Sequence, residues 1–477
     1  MIFTSVAFLV FFPLVLGLYW LALKGKEARL ALLLIASIIF YGWWDWRFLG
    51  LVGLVTGVNY AAALVAGDAR LSAAARNMAM AIGVGASLLV LGFFKYFDFF
   101  AESAALLLAR LGGRADFTTL EIVLPVGISF YTFQAMSYVI DVRRGDLAAQ
   151  TRLDRVALYV LFFPQLVAGP IVRAARFFPQ MDRDHHWSPR RAALGVRLFI
   201  LGFIYKALLA DNIAPIVDQV YGTGAGAAPL ASFDGVSIIG ATVAFGAQIY
   251  FDFAGYSTMA IGAAALFGYY IPRNFRFPYS ALSIAEFWRR WHISLSSWLR
   301  DYLYIPLGGN RRGAFATQVN LLATMALGGL WHGAAWRFVV WGVAHGLGLA
   351  VHRAVAGQIA ALRQSAPDLV RFVGWALTFW FVMALWGPFR AQDWADAQAA
   401  LHAFVFLGPT EGQSIGWVWL APLAALAVDH GLGRWRNKPW RAATLPSPVY
   451  WGAWGALAAI ALALYPLQAA PFVYFQF

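Results

Sequence analysis

Histidine is the residue type in this sequence best suited to move a proton near neutral pH. The chain has no cysteine, which excludes disulfides, thiolate metal sites and an S-acyl enzyme intermediate. Of its eight histidines, His332 lies in the apolar sequence GGLWHGAAWRFVVWGVAHG, Gly328 to Gly346. An ionisable side chain at membrane depth indicates a functional site, because its burial requires a partner or a wet cavity.

The neighbours of His332 allow two interpretations. Gly328, Gly329 and Gly333 remove side chains around it, so a backbone or a ligand can approach closely. The alternative is a histidine that packs between helices among small residues. His345 follows 13 residues later and would lie about 140° away around a continuous helix, so we expect it to be a packing residue rather than a second ligand.

His292 lies in a second block, WRRWHISLSSWLRDYLYIPLGGNRRG, Trp288 to Gly313. Its flanking arginines, Arg289 and Arg290, favour an anionic partner. The alternative is an interfacial helix on which His292 meets lipid head groups. The sequence lacks HExxH and GxxxxGK[ST], so it does not carry the motifs of a metalloprotease or a P-loop enzyme.

Apolar helices must position these residues. The chain is 61% hydrophobic and 12% charged over 477 residues. Its apolar stretches predict an all-α integral membrane protein with about twelve spans of roughly 20 residues each. We expect one membrane domain over residues 1–477 with no soluble domain, and a first stretch, Ile2 to Leu23, that is a retained helix rather than a signal peptide.

The net charge of +13 is concentrated in short connections, which is the positive-inside pattern rather than a sign of nucleic-acid binding. These connections are assigned to the cytoplasm, and counting from them places both termini outside. Residues 207–272 contain no Lys or Arg, and the Gly-rich loop there with Asp211, Asp218 and Asp234 is predicted to be external. We expect His185 and His186, in a charged connection, to be solvated.

Two segments do not fit simple spans. Residues 156–172 lie between two basic connections and contain Pro164 and Gly169-Pro170, which predicts a re-entrant segment, with a kinked full span as the alternative. Residues 273–317 are predicted to form a cytoplasmic interfacial segment. Their seven arginines, interleaved with aromatic residues, suit an amphipathic helix at the membrane surface.

Five ordered blocks resemble the membrane-bound O-acyltransferase (MBOAT) family, and most closely its bacterial alginate O-acetyltransferase branch. They are LPVGISFYTFQAMSYVIDV at Leu124, FFPQLVAGPIVR at Phe162, YFDFAGYSTMAIGAAALFG at Tyr250, RRWHISLSSWLRDYLYIPLGGN at Arg289, and WHG at Trp331. The last two blocks are the most specific, because long aromatic-rich sequences of this kind rarely arise by chance.

The resemblance implies a ring of membrane helices around a thinned central cavity. It also implies that His332, the histidine of WHG, is catalytic and that His292 is the second histidine of the site. The expected activity is transfer of an acetyl group from acetyl-CoA toward an extracytoplasmic polysaccharide, in the bacterial inner membrane, with no bound cofactor or metal. A periplasmic SGNH-type acetyltransferase or another polysaccharide-modifying protein is the expected partner.

Further roles remain hypotheses. Arg289, Arg290, Arg311 and Arg312 are candidates to bind the donor phosphates. The terminal FVYFQF, residues 472–477, resembles an FxYxxF sequence of acyl-export systems. Its Tyr474 is a candidate acyl carrier, unless the segment only anchors the terminus or docks a partner. The alternatives to polysaccharide acetylation are D-alanyl, lipid or protein acylation, or transport of a glycan or lipid.

Overall fold

The computed structural model describes residues 1–113, 120, 122–166, 169–222, 228–435, 447–465 and 472–473. Most of these residues are helical, with one isolated β-bridge between Phe233 and Gln413 and no strand among them. The predicted all-α membrane class is therefore confirmed. The chain divides into two compact units, Met1–Phe199 with Met259–Pro272, and Ile200–Thr258 with Arg273–Phe477.

Ten α-helices begin in the first unit, and the last of them ends just beyond it. Their bounds are α1 Val6–Gly17, α2 Lys26–Asp45, α3 Phe48–Gly67, α4 Ala73–Leu91, α5 Phe97–Arg110, α6 Ile128–Arg144, α7 Leu153–Leu161, α8 Phe163–Leu166, α9 Ala174–Met181 and α10 Pro189–Phe203. Short π-helical turns, Leu18–Ala22 and Gly92–Tyr96, continue α1 and α4.

The second unit contains the remaining helices, although the end of α12 belongs to the first. Their bounds are α11 Asp211–Tyr221, α12 Gly235–Leu266, α13 Ile284–Trp288, α14 Ile293–Leu299, α15 Gly313–His332, α16 Trp336–Ala354, α17 Ala356–Ser365, α18 Pro367–Arg390, α19 Trp394–Phe406, α20 Leu420–Trp435 and α21 Ser447–Ala463. Further π turns are Ile204–Ala210 and Arg300–Tyr304, and 3-10 turns are Leu230–Ser232 and Pro278–Ser280.

Within the described residues, seven helical stretches are long and apolar enough to cross a membrane, or eight if the bent pair α16 and α17 is one span. Three shorter apolar helices, Val6–Ala22, Leu420–Gly433 and Trp451–Ala463, are also present. The predicted number of about twelve spans and their arrangement in a ring stay predictions. Helix α12 differs from the other six spans, because 89% of its apolar window is buried, against 22% to 39% for theirs.

The predicted re-entrant segment is a broken helix. Helix α7 ends at Leu161, the short α8 follows, and residues 171–173 are not helical. Tyr159 donates a hydrogen bond from its hydroxyl to the carbonyl of Val172 at 2.9 Å, so the chain after the break folds back onto α7. Residues 167–168 lie outside the described residues, and the position of the segment in the membrane stays a prediction.

The segment 273–317 forms the short helices α13 and α14, two turns and the start of α15 rather than one amphipathic helix. Hydrogen bonds from the backbone explain the interruptions. Arg276 donates its N–H to the carbonyl of Arg290 at 2.9 Å, and Ile293 donates to Asn274 at 2.9 Å. These bonds fold the segment back on itself and bury His292 and Trp291 completely.

Candidate active site

His332 is the last residue of α15, where the chain turns into α16. The premise of one continuous helix through His332 and His345 is wrong, because α15 ends at His332 and α16 begins at Trp336. The two helices pack against each other through glycines. A Cβ on Gly329 would lie 2.1 Å from the carbonyl oxygen of Phe338, and one on Gly342 would lie 2.1 Å from that of Met325.

The His332 side chain is 3% exposed and is surrounded by aromatic rings. Its ring centroid lies 5.1 Å from that of Trp331, 5.2 Å from that of Trp341 and 5.5 Å from that of Phe389. Gly333 also serves this packing, since a Cβ there would lie 2.1 Å from the Phe338 ring. The close backbone approach expected from the glycines is thus present, and the approaching groups are those of α16.

His292 caps the start of α14 in the left-handed conformation, with φ 41° and ψ 54°. This conformation is uncommon for a residue other than glycine, and histidine is among those that tolerate it best. It costs of order 1–3 kcal/mol and persists only when the surrounding structure enforces it. Asn274 supplies that support, because its side-chain oxygen accepts a hydrogen bond from the Ser294 hydroxyl at 2.6 Å.

The structure brings the two predicted histidines together. Their ring centroids are 6.4 Å apart. The Trp331 ring lies 5.6 Å from His292, and the Phe253 ring lies 4.6 Å from it in an edge-on arrangement. Complete burial lowers the pKa of His292 to about 3, so its ring is neutral at physiological pH.

His345 packs against Trp341, as His332 does. Its ring centroid lies 4.5 Å from that of Trp341, and Trp288 and Phe381 complete the surrounding aromatic cage. The side chain is fully buried, and neither ring nitrogen has a hydrogen-bond partner among the described residues. Its packing contacts match the role expected from the sequence.

The four predicted donor-binding arginines are in different environments. Arg289, Arg311 and Arg312 are exposed. Arg290 is half-buried and pairs with Glu286 through a short ion pair, while it donates to the Ser280 hydroxyl at 2.7 Å. Three of the arginines are therefore accessible to an anionic ligand, whereas Arg290 holds the fold of residues 273–317.

Sequence reasoning missed a buried ion cluster next to this site. Lys206 Nζ lies 2.8 Å from a carboxylate oxygen of Asp211 and 2.8 Å from one of Asp252, and all three side chains are 5% exposed or less. Asp211 is thus buried at the start of α11 rather than in the predicted external loop. Asp252 was visible as the one charge within YFDFAGYS, and a charge in an apolar run is the signal that could have identified it.

The cluster reaches the C-terminal segment. Asp252 accepts a hydrogen bond at 2.6 Å from the backbone N–H of Val473. The ring of Phe472 packs 6.0 Å from that of Phe253 and 5.3 Å from that of Tyr256. Phe253 thereby contacts both the C-terminal segment and His292. Tyr474 itself lies outside the described residues.

Comparison with known proteins identifies the family of this chain. Residues 147–389 match the membrane-bound O-acyltransferase family. A probable alginate O-acetylase, AlgI, of Azotobacter vinelandii is 44% identical over 408 residues, which cover 85% of this chain and 78% of that protein. The protein of the same name from Pseudomonas aeruginosa is 40% identical, over 92% of this chain and 83% of its own length.

A peptidoglycan O-acetyltransferase of Helicobacter pylori is 36% identical over 401 residues, covering 79% of this chain and 73% of that protein. The family match includes both histidines of the buried pair, the Lys206 cluster and α12. The chain belongs to the membrane-bound O-acyltransferase family and is a multi-pass O-acyltransferase of the bacterial inner membrane.

Proposed function

We propose that this enzyme takes an acetyl group from cytoplasmic acetyl-CoA and passes it across the membrane for O-acetylation of an extracytoplasmic polysaccharide. The observation that carries the proposal is the meeting of His292 and His332, 6.4 Å apart between ring centroids, within a buried aromatic environment. The names of the relatives, alginate O-acetylase and peptidoglycan O-acetyltransferase, support an acetyl group and a polysaccharide acceptor.

His332 acts as the general base in this mechanism. Its neutral ring takes the proton of an attacking hydroxyl while the hydroxyl oxygen bonds to the thioester carbonyl carbon. The carbon–sulfur bond then breaks, and the imidazolium returns its proton to the departing thiolate, which leaves an acetyl ester and free CoA thiol. The position of His332 at the end of α15 suits this step, because the negative end of the helix dipole stabilises the transient imidazolium.

His292 orients the thioester. Its low pKa keeps the ring neutral, so it does not compete with His332 for the proton and acts as a hydrogen-bonding group. The exposed Arg289, Arg311 and Arg312 bind the phosphates of the donor from the cytoplasmic side. Arg290 contributes indirectly, through its ion pair with Glu286.

Tyr474 receives the acetyl group and hands it to an external transferase of the SGNH type or a similar polysaccharide-modifying partner. The support is the anchoring of the preceding residues. Val473 is held by Asp252, and Phe472 packs on Phe253, whose ring also contacts His292. Tyr474 is the next residue along the chain and carries the one hydroxyl of FVYFQF.

The first experiment measures acetyl-CoA turnover by the purified protein in lipid nanodiscs. We expect His332→Ala to lower turnover by about 10²-fold or more, the range for loss of a general base. His402→Ala, at an exposed histidine of α19, is the matched control and is expected to retain wild-type turnover. Equal turnover in the His332 variant, with folding verified by size exclusion, would remove His332 from the mechanism. Consumption of a D-alanyl thioester in place of acetyl-CoA would contradict the proposal that acetyl-CoA is the donor.

The carrier role is tested by peptide mass analysis of protein trapped with acetyl-CoA. We expect an added acetyl group on the peptide containing Tyr474 and none in Tyr474→Phe. Full polysaccharide acetylation by a Tyr474→Phe strain would show that the segment anchors the terminus or docks a partner without carrying the acyl group.

A further inference from the structure

The first unit contains a pocket of about 430 Å³ away from the histidine pair along the chain. It is formed by the π turn that ends the first apolar helix, the connection to α2, the start of α2, residues 183–187 and Tyr269. All of these residues belong to the same compact unit. The basic connections that contribute to the pocket, Lys24 to Arg29 and Arg173 to Arg191, are both assigned to the cytoplasmic side.

Four cations line the pocket, and only one carboxylate accompanies them. The cations are Lys24, Lys26, Arg29 and Arg183, and the carboxylate is that of Asp184. Lys26 donates to the carbonyl of Asp182 at 3.2 Å, and Arg29 to that of His185 at 2.8 Å. Bonds to carbonyls orient the cations without neutralising them. Among the described residues, none of the four forms a salt bridge with a carboxylate.

The neighbouring acids do not compensate this charge, because they are paired elsewhere. Glu27 lies 2.7 Å from Arg152 and 3.0 Å from Arg155, and the carboxylate of Asp182 also pairs with Arg155. None of these groups lines the pocket. Burial lowers the pKa of His185, so that ring adds no further positive charge at pH 7. The pocket therefore has a formal surplus of three positive charges.

Aromatic side chains form part of the wall. Trp20 and Trp187 meet edge to face with ring centroids 5.6 Å apart, and Trp20 is fixed by a hydrogen bond to the carbonyl of Leu266 at 2.9 Å. Tryptophan is enriched where the hydrocarbon meets the head groups. Helix α1 leads into the pocket and presents exposed apolar side chains, including Val10 and Leu14, along which an acyl chain can lie.

We propose that this pocket binds the phosphate of an anionic phospholipid head group from the cytoplasmic leaflet. Lysine and arginine side chains without a carboxylate partner supply the charge-assisted hydrogen bonds that a phosphate accepts. Basic pockets between membrane helices on the cytoplasmic side are suited to such head groups. A soluble organic phosphate offers the same anion, but it does not use the apolar surface of α1 or the tryptophans at the rim.

The test is native mass spectrometry of the full-length protein titrated with phosphatidylglycerol, with zwitterionic phosphatidylcholine as the reference lipid. We expect retention of phosphatidylglycerol and about 30-fold weaker retention by the double variant Lys24→Ala/Lys26→Ala, from the contribution of two cations near the membrane surface. The matched control is Arg353→Ala/Arg363→Ala, which removes two exposed cations from another predicted cytoplasmic connection. It is expected to bind as the wild type does.

Equal weakening in both double variants would overturn the proposal, because it would show general attraction to a basic protein. Equal retention of phosphatidylglycerol and phosphatidylcholine by the wild type would also overturn the proposal. Inorganic pyrophosphate is added in a separate arm. Displacement of phosphatidylglycerol only at high excess supports the lipid, whereas pyrophosphate binding without phosphatidylglycerol binding assigns the pocket to a soluble phosphate and overturns the lipid proposal. Both lysines are exposed or half-buried, so size exclusion and thermal unfolding are expected to match the wild type.

Discussion

Among the described residues of the second unit, the cluster around Lys206 and the histidine pair are buried polar groups that are built in opposite ways. Lys206 forms ion pairs of 2.8 Å with both Asp211 and Asp252. His292 and His332 are instead enclosed by the rings of aromatic residues such as Phe253, Trp331 and Trp341. The first cluster places formal charges in the interior, and the second places imidazole rings there.

This difference distinguishes a cluster suited to stabilising the fold from a cluster suited to proton transfer. A buried charge requires a fixed counter-charge, so a paired cluster holds its elements in one arrangement. A neutral imidazole can be buried among aromatic rings at lower cost and retains the ability to take up a proton. The two clusters meet at adjacent residues of α12, since Asp252 belongs to the ion cluster and Phe253 contacts His292.

The largest effect is expected from removing the cation of the ion cluster. Lys206→Met leaves Asp211 and Asp252 as two buried like charges, at a cost of about 3–5 kcal/mol in the free energy of unfolding. SDS-induced unfolding in mixed micelles measures this cost. Arg363→Met, at an exposed position on α17, is the control and is expected to be nearly neutral. An unchanged unfolding midpoint in Lys206→Met would mean that the cluster does not stabilise the fold.

The next largest effect is expected from a substitution where α15 packs against α16, near His332. Gly342→Ala places a methyl group 2.1 Å from the carbonyl oxygen of Met325 and forces α15 and α16 apart, at about 1–3 kcal/mol. Turnover should fall as well, because the movement displaces His332. Gly357→Ala, where the added Cβ meets nothing within 4 Å, is the matched control. Wild-type turnover and stability in Gly342→Ala would contradict the described crossing.

A pH dependence is expected from His292. Its pKa is about 3 in the folded protein and near 6.5 when unfolded, so the unfolded chain takes up the proton first as the pH falls. Its contribution to stability is complete above pH 6.5 and is lost progressively toward pH 3, by about 2 kcal/mol between pH 7 and pH 5. The measurement is the difference in unfolding free energy between these two pH values in wild type and in His292→Gln. Identical pH dependences would show that His292 is not buried as a neutral ring.

The smallest effect concerns the C-terminal anchor. Asp252→Asn leaves Lys206 paired with Asp211 but replaces a charged acceptor for the Val473 N–H by a neutral one, at about 1 kcal/mol. Hydrogen exchange at Val473 should become roughly fivefold faster. Asp146→Asn, at an exposed carboxylate, is expected to leave that exchange unchanged. Unaltered exchange in Asp252→Asn would separate the ion cluster from the C-terminal segment.

Several features of the fold and site were predictable because they depend on local composition. Apolar stretches predicted membrane helices, and Pro164 with Gly169-Pro170 predicted the interruption that follows α7. Two unusual histidines in specific blocks predicted the residues that the structure brings together. The prediction of one continuous helix through His332 failed, because Gly333 and the two alanines after it gave no strong local signal for a break.

The sequence by itself determined the helical membrane class, the family and the choice of His292 and His332. These follow from the length of apolar stretches, the cost of burying an ionisable group and the order of aromatic blocks. Only the tertiary structure decided that Asp252 is buried against Lys206 and that it reaches Val473, 221 residues away along the chain. The physical reason is that burial energies depend on partners far apart in sequence, and a charge is tolerated in an apolar interior only where folding supplies its counter-charge.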